Sequence, residues 1–276
     1  MKNLKMYVFA LVLVSFISCT KEDDKSTENV DSEMVGANMT ADFTSELDFN
    51  SGIDIASNNS SYSSKTTNEA SVVPACATVT INNTTPGVFP KIFTVDFGIG
   101  CTQNGITRSG ILTITLSGYV MNNGSTMTIE RSNYYVNLRK IEGTVVYTNE
   151  TTNVAIPQWT GTLTNGKITL PNGAVFTHSG TRTVKQTAGV STLLLGDNIY
   201  EVISGTHIVN RPNGSTLTST IVEPLIKKYA CNYISQGKLN LQGTVLDGVL
   251  DYGNNNCDNL ATYFHNPNGE TYNVNL

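Results

Sequence analysis

The chain is predicted to fold as an all-β protein, mainly an antiparallel meander, with a short helix before it. Three observations predict this. Apolar residues alternate with polar ones: Leu112, Ile114 and Leu116 point one way while Thr113 and Thr115 point the other, and Tyr272, Val274 and Leu276 alternate with Thr271, Asn273 and Asn275. Such alternation marks strands with one buried face. Asn-Gly pairs begin at residues 104, 123, 165, 172, 213 and 268, and this dipeptide supplies the positive φ angles of tight hairpins. Charged residues make up only 14% of the chain, and Thr, Asn, Ser and Gly take their place, a composition suited to strands and turns. A two-sheet sandwich or one strongly curved sheet buries the alternating faces.

The elements follow in order. Lys2 and Lys5 precede an apolar stretch from Met6 to Ile17. It is shorter than the roughly 20 residues a bilayer-spanning helix needs, and it has the positive start and short apolar middle of a secretory signal. Residues 1–18 are read as that signal, and 19–31 as an acidic tether. Residues 32–74 are read as a short helix followed by a polar loop, and 75–276 as the β domain. The helix is expected over 32–49, amphipathic, with Met34, Phe43 and Leu47 near helical spacing, opened by Ser32 and Glu33, and weakened by Gly36. Residues 57–67 are expected to form the loop.

Ser18-Cys19, with Phe16 where such boxes usually carry Leu, Val or Ile, resembles the end of a bacterial lipobox. The resemblance implies that Cys19 is lipidated and holds the chain at a membrane surface without spanning it. Lys21-Glu22-Asp23-Asp24 resembles the lysine-plus-acidic export signal of surface lipoproteins of the Bacteroidetes group, which implies an outer-membrane protein facing outward. The segment from Asp251 to Asn259 resembles the Asp-Tyr-Gly…Cys-Asp-Asn ending of an all-β Bacteroidetes lipoprotein family to which no activity is attached; it implies a cell-envelope setting.

Without residues 1–18 the chain carries 15 basic and 22 acidic residues, a charge of −7, and six of the acids fall within residues 20–35. The body is therefore nearly neutral. Its adjacent basic pairs, Arg139-Lys140 and Lys227-Lys228, lie far apart, so nucleic acid is not an expected partner. Cys76, Cys101, Cys231 and Cys257 remain after Cys19. An even number in an exported chain implies disulfides. Cys76–Cys101 and Cys231–Cys257 are favoured because each pair is close in sequence, and each loop contributes about 3 kcal/mol in the chain-entropy description. A zinc site is disfavoured: no Cys-x-x-Cys occurs, and His178, His207 and His265 are scattered.

Motifs for catalysis are sparse. No Gly-x-Ser-x-Gly or His-Glu-x-x-His occurs. His178 and Ser179 are neighbours on a strand and so point to opposite faces. Glu130, Glu142, Glu150, Asp197, Glu201, Glu223 and Asp247 are the carboxylates from which a glycosidase pair would be drawn. Asp251, Asn254, Asn256 and Asp258 offer oxygens to a cation, without the EF-hand spacing; a disulfide-pinned turn is the favoured reading. The segment 96–101 echoes 251–257, each ending in the second cysteine of its pair. Trp159, Tyr134 and Tyr135 are candidates for stacking on a ligand, against the ordinary role of aromatics in strand packing. The expected function is a non-catalytic envelope lipoprotein binding a glycan or protein, with no cofactor. The alternatives are a periplasm-facing assembly lipoprotein and a glycan-active hydrolase.

Overall fold

The computed structural model describes residues 30–58, 71–192 and 194–276. Cys19, expected to be lipidated, and Lys21, Glu22, Asp23 and Asp24, expected to form an export signal, lie outside the described residues, as does most of the expected loop at 57–67. One helix, α1 (Ser32–Asn58), precedes fourteen strands. In chain order these are β1 (Thr78–Ile81), β2 (Lys91–Asp96), β3 (Cys101–Gln103), β4 (Ile106–Leu116), β5 (Thr126–Val136), β6 (Arg139–Asn149) and β7 (Gln158–Thr169). They continue with β8 (Val175–Ala188), β9 (Ile199–Asn210), β10 (Thr216–Lys228), β11 (Gln236–Gly243), β12 (Asp247–Asn254), β13 (Leu260–His265) and β14 (Glu270–Asn275).

All strands belong to one antiparallel sheet, in the order β1-β2-β4 and then sequentially to β14, with β3 paired to β4 off that path. The curved sheet, rather than the two-sheet sandwich, is therefore the form adopted. Among the described residues β1 and β14 are not paired to each other, so the sheet is not closed. The alternation holds: Leu112, Ile114 and Leu116 are buried while Thr113 and Thr115 are half-buried.

Five of the six Asn-Gly pairs lie between strands, and Asn104 and Gly105 take the two positive φ angles, 51° and 78°, of a tight hairpin. The sixth differs. Asn165-Gly166 lies inside β7, at a register shift between Leu163 and Gly166. Asn133 on β5 and Asn165 on β7 both have positive φ within their strands. Register shifts recur from β4 to β12, at Ser109/Ile111, Glu130/Tyr135, Glu142/Thr144 and Gln236/Lys238 among others. Bulges bend a strand and increase its twist, and a row of them across neighbouring strands lets a wide sheet curl.

The sheet curls around α1. The helix runs 27 residues, about 40 Å at 1.5 Å per residue, nine residues beyond the expected end. It is not amphipathic: from Ala37 to Ala56 every residue is buried, polar ones included. Its start is set by Asp31, whose Oδ1 accepts from the Met34 backbone N–H at 3.0 Å, the role of an N-cap that the sequence reading gave to Ser32. Arg211 holds this end through Asp31 (2.6 Å) and Glu33 (3.0 Å). Helix and strands share one core. Phe49 sits at its centre, with ring centroids 4.9 Å from Tyr147, 5.6 Å from Trp159 and 5.3 Å from Tyr200.

Burying so polar a helix is costly unless its polar side chains find partners, and most of them do. Local hydroxyls bond back one turn: Thr44 to Thr40 O, Ser45 to Ala41 O and Ser51 to Leu47 O. The carboxylates find cations on the strands. Arg182 of β8 donates to Asp42 (2.9 Å) and Glu46 (3.0 Å). Arg131 of β5 pairs with Asp48 at 2.8 Å, and the Tyr134 hydroxyl donates to the same carboxylate. Tyr252 of β12 donates to Asp42 at 3.0 Å. Desolvation raises the Asp42 and Glu46 carboxyls above their usual range, and Arg182 opposes that shift.

Candidate functional site

Both expected disulfides are present, Cys76–Cys101 and Cys231–Cys257. The two echoing segments that carry their second cysteines have matching local geometry. Asp96 Oδ1 accepts from Gly98 N–H, and Asp251 Oδ1 from Gly253 N–H, both at 2.8 Å. Both glycines have positive φ, and the residues between, Phe97 and Tyr252, are buried. Asp251 and its neighbours thus serve the turn: Asn256 donates to Asn254 Oδ1, and Asp258 Oδ1 accepts from Leu260 N–H. Among the described residues no group of three His, Cys, Asp or Glu is placed to hold a metal ion.

The stacking candidates separate. Trp159 is 1% exposed, and its Nε1 donates to Val120 O at 3.1 Å. Tyr134 is fully buried on Asp48. Both rings belong to the core, which rules them out as ligand-stacking candidates and gives them the ordinary packing role of strand aromatics. Tyr135, the next residue on the strand, faces outward at 37% exposure.

His178 is buried and Ser179 exposed, as opposite strand faces require. His178 Nδ1 meets His207 Nε2 at 2.9 Å, and His207 Nδ1 meets Asn38 Oδ1 at 3.3 Å. Burial, reinforced for His178 by its neighbour, holds both imidazoles neutral and far below their ordinary range. The glycosidase carboxylates are dispersed. Glu142 pairs with Lys140 and Lys167, and Glu223 with Lys238. Glu150 accepts from Thr160, and Asp247 from Gln242 and Asn266. No two of the seven line any of the clefts described here.

The feature that sequence reading missed is an aromatic cleft of ≈ 330 Å³ at the C-terminal end of α1. Ile53 and Ala56 form its floor, and Phe93, Leu116 and Tyr200 are buried in its walls. At the mouth Phe89 and Tyr119 are half-buried and meet edge to face, centroids 5.0 Å apart. Met121 lines the rim and is 48% exposed; Val88, beside Phe89 in the chain, is 43% exposed. Four of the polar side chains in this cleft are engaged within the protein. Gln186 Nε2 donates to Asn198 Oδ1, and Asn198 Nδ2 donates to the Tyr200 hydroxyl. Lys91 Nζ donates to Asn83 O and Thr85 O. A cleft of this size and lining suits a group held by shape and apolar contact. The signal available in sequence was weak: Phe89, Tyr119 and Met121 stand just outside strand ends, where isolated apolar residues are ordinary.

A comparison with protein-family models, curated proteins and solved structures finds no match to this chain.

Proposed function

We propose that this protein is a non-catalytic, lipid-anchored binding protein of the outer membrane, facing the cell exterior and docking a protein partner by an apolar side chain seated in the aromatic cleft. Anchor and direction rest on the sequence, through Cys19 and Lys21-Glu22-Asp23-Asp24. The observation that carries the binding reading is the cleft, whose apolar lining continues onto exposed Met121 while its deeper polar side chains, Gln186, Asn198, Tyr200 and Lys91, are bonded inside the protein. A glycan needs free donors and acceptors beside its stacking face; a protein anchor needs a dry pocket with an apolar rim.

The test is position-specific photo-crosslinking on intact cells, from a photoreactive residue replacing Met121 or Val88, with exposed Val222 of β10 as control. One discrete adduct from Met121 and Val88, and none from Val222, is expected. No adduct, or the same adducts from Val222, contradicts the reading. Protease shaving of the same cells checks the direction: loss of the protein before lysis is expected, whereas survival until lysis turns the search to periplasmic partners.

A further inference from the structure

A second cleft, of ≈ 190 Å³, lies between the two disulfide corners and shares no lining residue with the aromatic one. We propose that it is a binding site for a small carboxylate that carries an adjacent hydrogen-bond donor, such as a short 2-hydroxy acid.

Three observations lead there. Asn50 of α1 lines the cleft, is 1% exposed, and has neither its side-chain nitrogen nor its oxygen paired. A buried amide left so is unfavourable, and a ligand that accepts from one atom and donates to the other removes that cost. Two buried cations, Arg108 and Lys227, line the same space, and among the described residues no carboxylate does. Arg108 is fixed by Ser51 Oγ (2.9 Å) and Val72 O, and by the Phe97 face at 4.3 Å. Lys227 Nζ donates to Lys228 O (2.8 Å) and to Cys231 O. An ammonium has three protons, so one remains for an anion. Burial draws this amine down to about 8, against Glu46, which pulls it up. The walls are also pinned. Asn232 donates to Asn104 O at 2.9 Å, joining the β10–β11 connection to the β3–β4 hairpin across the cleft, and each side of that bond is anchored by its own disulfide. The volume is roughly that of six waters in the liquid, which suits a molecule of the proposed size.

The experiment is a titration of the detergent-solubilised full-length lipoprotein with lactate, acetate and inorganic phosphate, read by calorimetry and by the side-chain amide signals of Asn50. The expected result is saturable binding of lactate, tighter than acetate or phosphate by tenfold or more. The Asn50 amide signals move with the same midpoint, and Asn50→Ala weakens lactate at least tenfold. The wild-type signals carry the test if Asn50→Ala fails to fold. The proposal is overturned by no saturable binding, by acetate or phosphate binding as well as lactate, or by lactate binding that leaves the Asn50 signals unmoved. None of these outcomes depends on the aromatic cleft.

Discussion

Arg182 of β8 donates to Asp42 of α1 at 2.9 Å across 140 residues of chain, and the same guanidinium reaches Glu46 one helical turn on at 3.0 Å. One cation thus holds two buried carboxylates, and the helix is tied electrostatically to the far part of the sheet. A buried pair of this kind contributes little net stability, but breaking it leaves an uncompensated charge and costs about 3–5 kcal/mol.

Arg182→Met therefore lowers unfolding free energy by about that amount, measured by denaturant unfolding at pH 7. Adding Asp42→Asn and Glu46→Gln in the same chain recovers a large part of the loss. Recovery of nothing would mean that the arginine acts through its packing alone.

The buried His178–His207 pair sets an acid limit. Both imidazoles are held neutral in the folded protein, first by desolvation, with Arg182 adding repulsion at each. Their folded values lie below the ordinary 6.5, so the unfolded chain binds more protons than the folded one below that pH. Stability then rises with pH through this window and is lost as pH falls from about 6.5. Asp42, Glu46 and Asp54 have the opposite sign, because burial raises their folded values; their contribution grows as pH falls. The expected outcome is that melting temperature declines between pH 7 and 5 in the wild type, and that His207→Gln flattens the decline whatever its effect at pH 7. An unchanged slope would show that the pair does not govern the acid limb.

Two glycines are predicted to respond in opposite directions. Gly143 has φ 110°, and a Cβ there would lie 2.7 Å from Gly166 Cα on the next strand. Gly143→Ala should cost about 1–3 kcal/mol, the scale of a strained backbone site. Gly36, in the first turns of α1, has nothing within 4 Å of such a Cβ, and Gly36→Ala should gain about 0.5–1 kcal/mol. Chemical denaturation of the two variants side by side checks both signs.

The sequence was informative where the determinants are local. Strand faces follow from alternation, Asn104-Gly105 specifies its hairpin, and the cysteines pair with near neighbours. It was misleading where partners are distant. Asp42, Glu46 and Asp48 carry no local sign of burial, because the arginines that neutralise them lie 83 to 140 residues away. Asn165-Gly166 reads as a turn because the dipeptide supplies positive φ equally well to a bulge inside a strand. The aromatic cleft was hidden for a related reason: its walls come from α1 and from β2, β4, β8 and β9 with their flanking loops, which no single stretch of sequence brings together.

The helix α1 is the core around which the sheet is wrapped. Native-state hydrogen exchange of the helix amides tests it most directly. If the account holds, the amides from Asp42 to Ser51 exchange only by global unfolding, with the same free energy as the slowest amides of β5 and β8. Helix amides that exchange orders of magnitude faster, while those strands stay protected, would show that the sheet stands without the helix and would contradict the account.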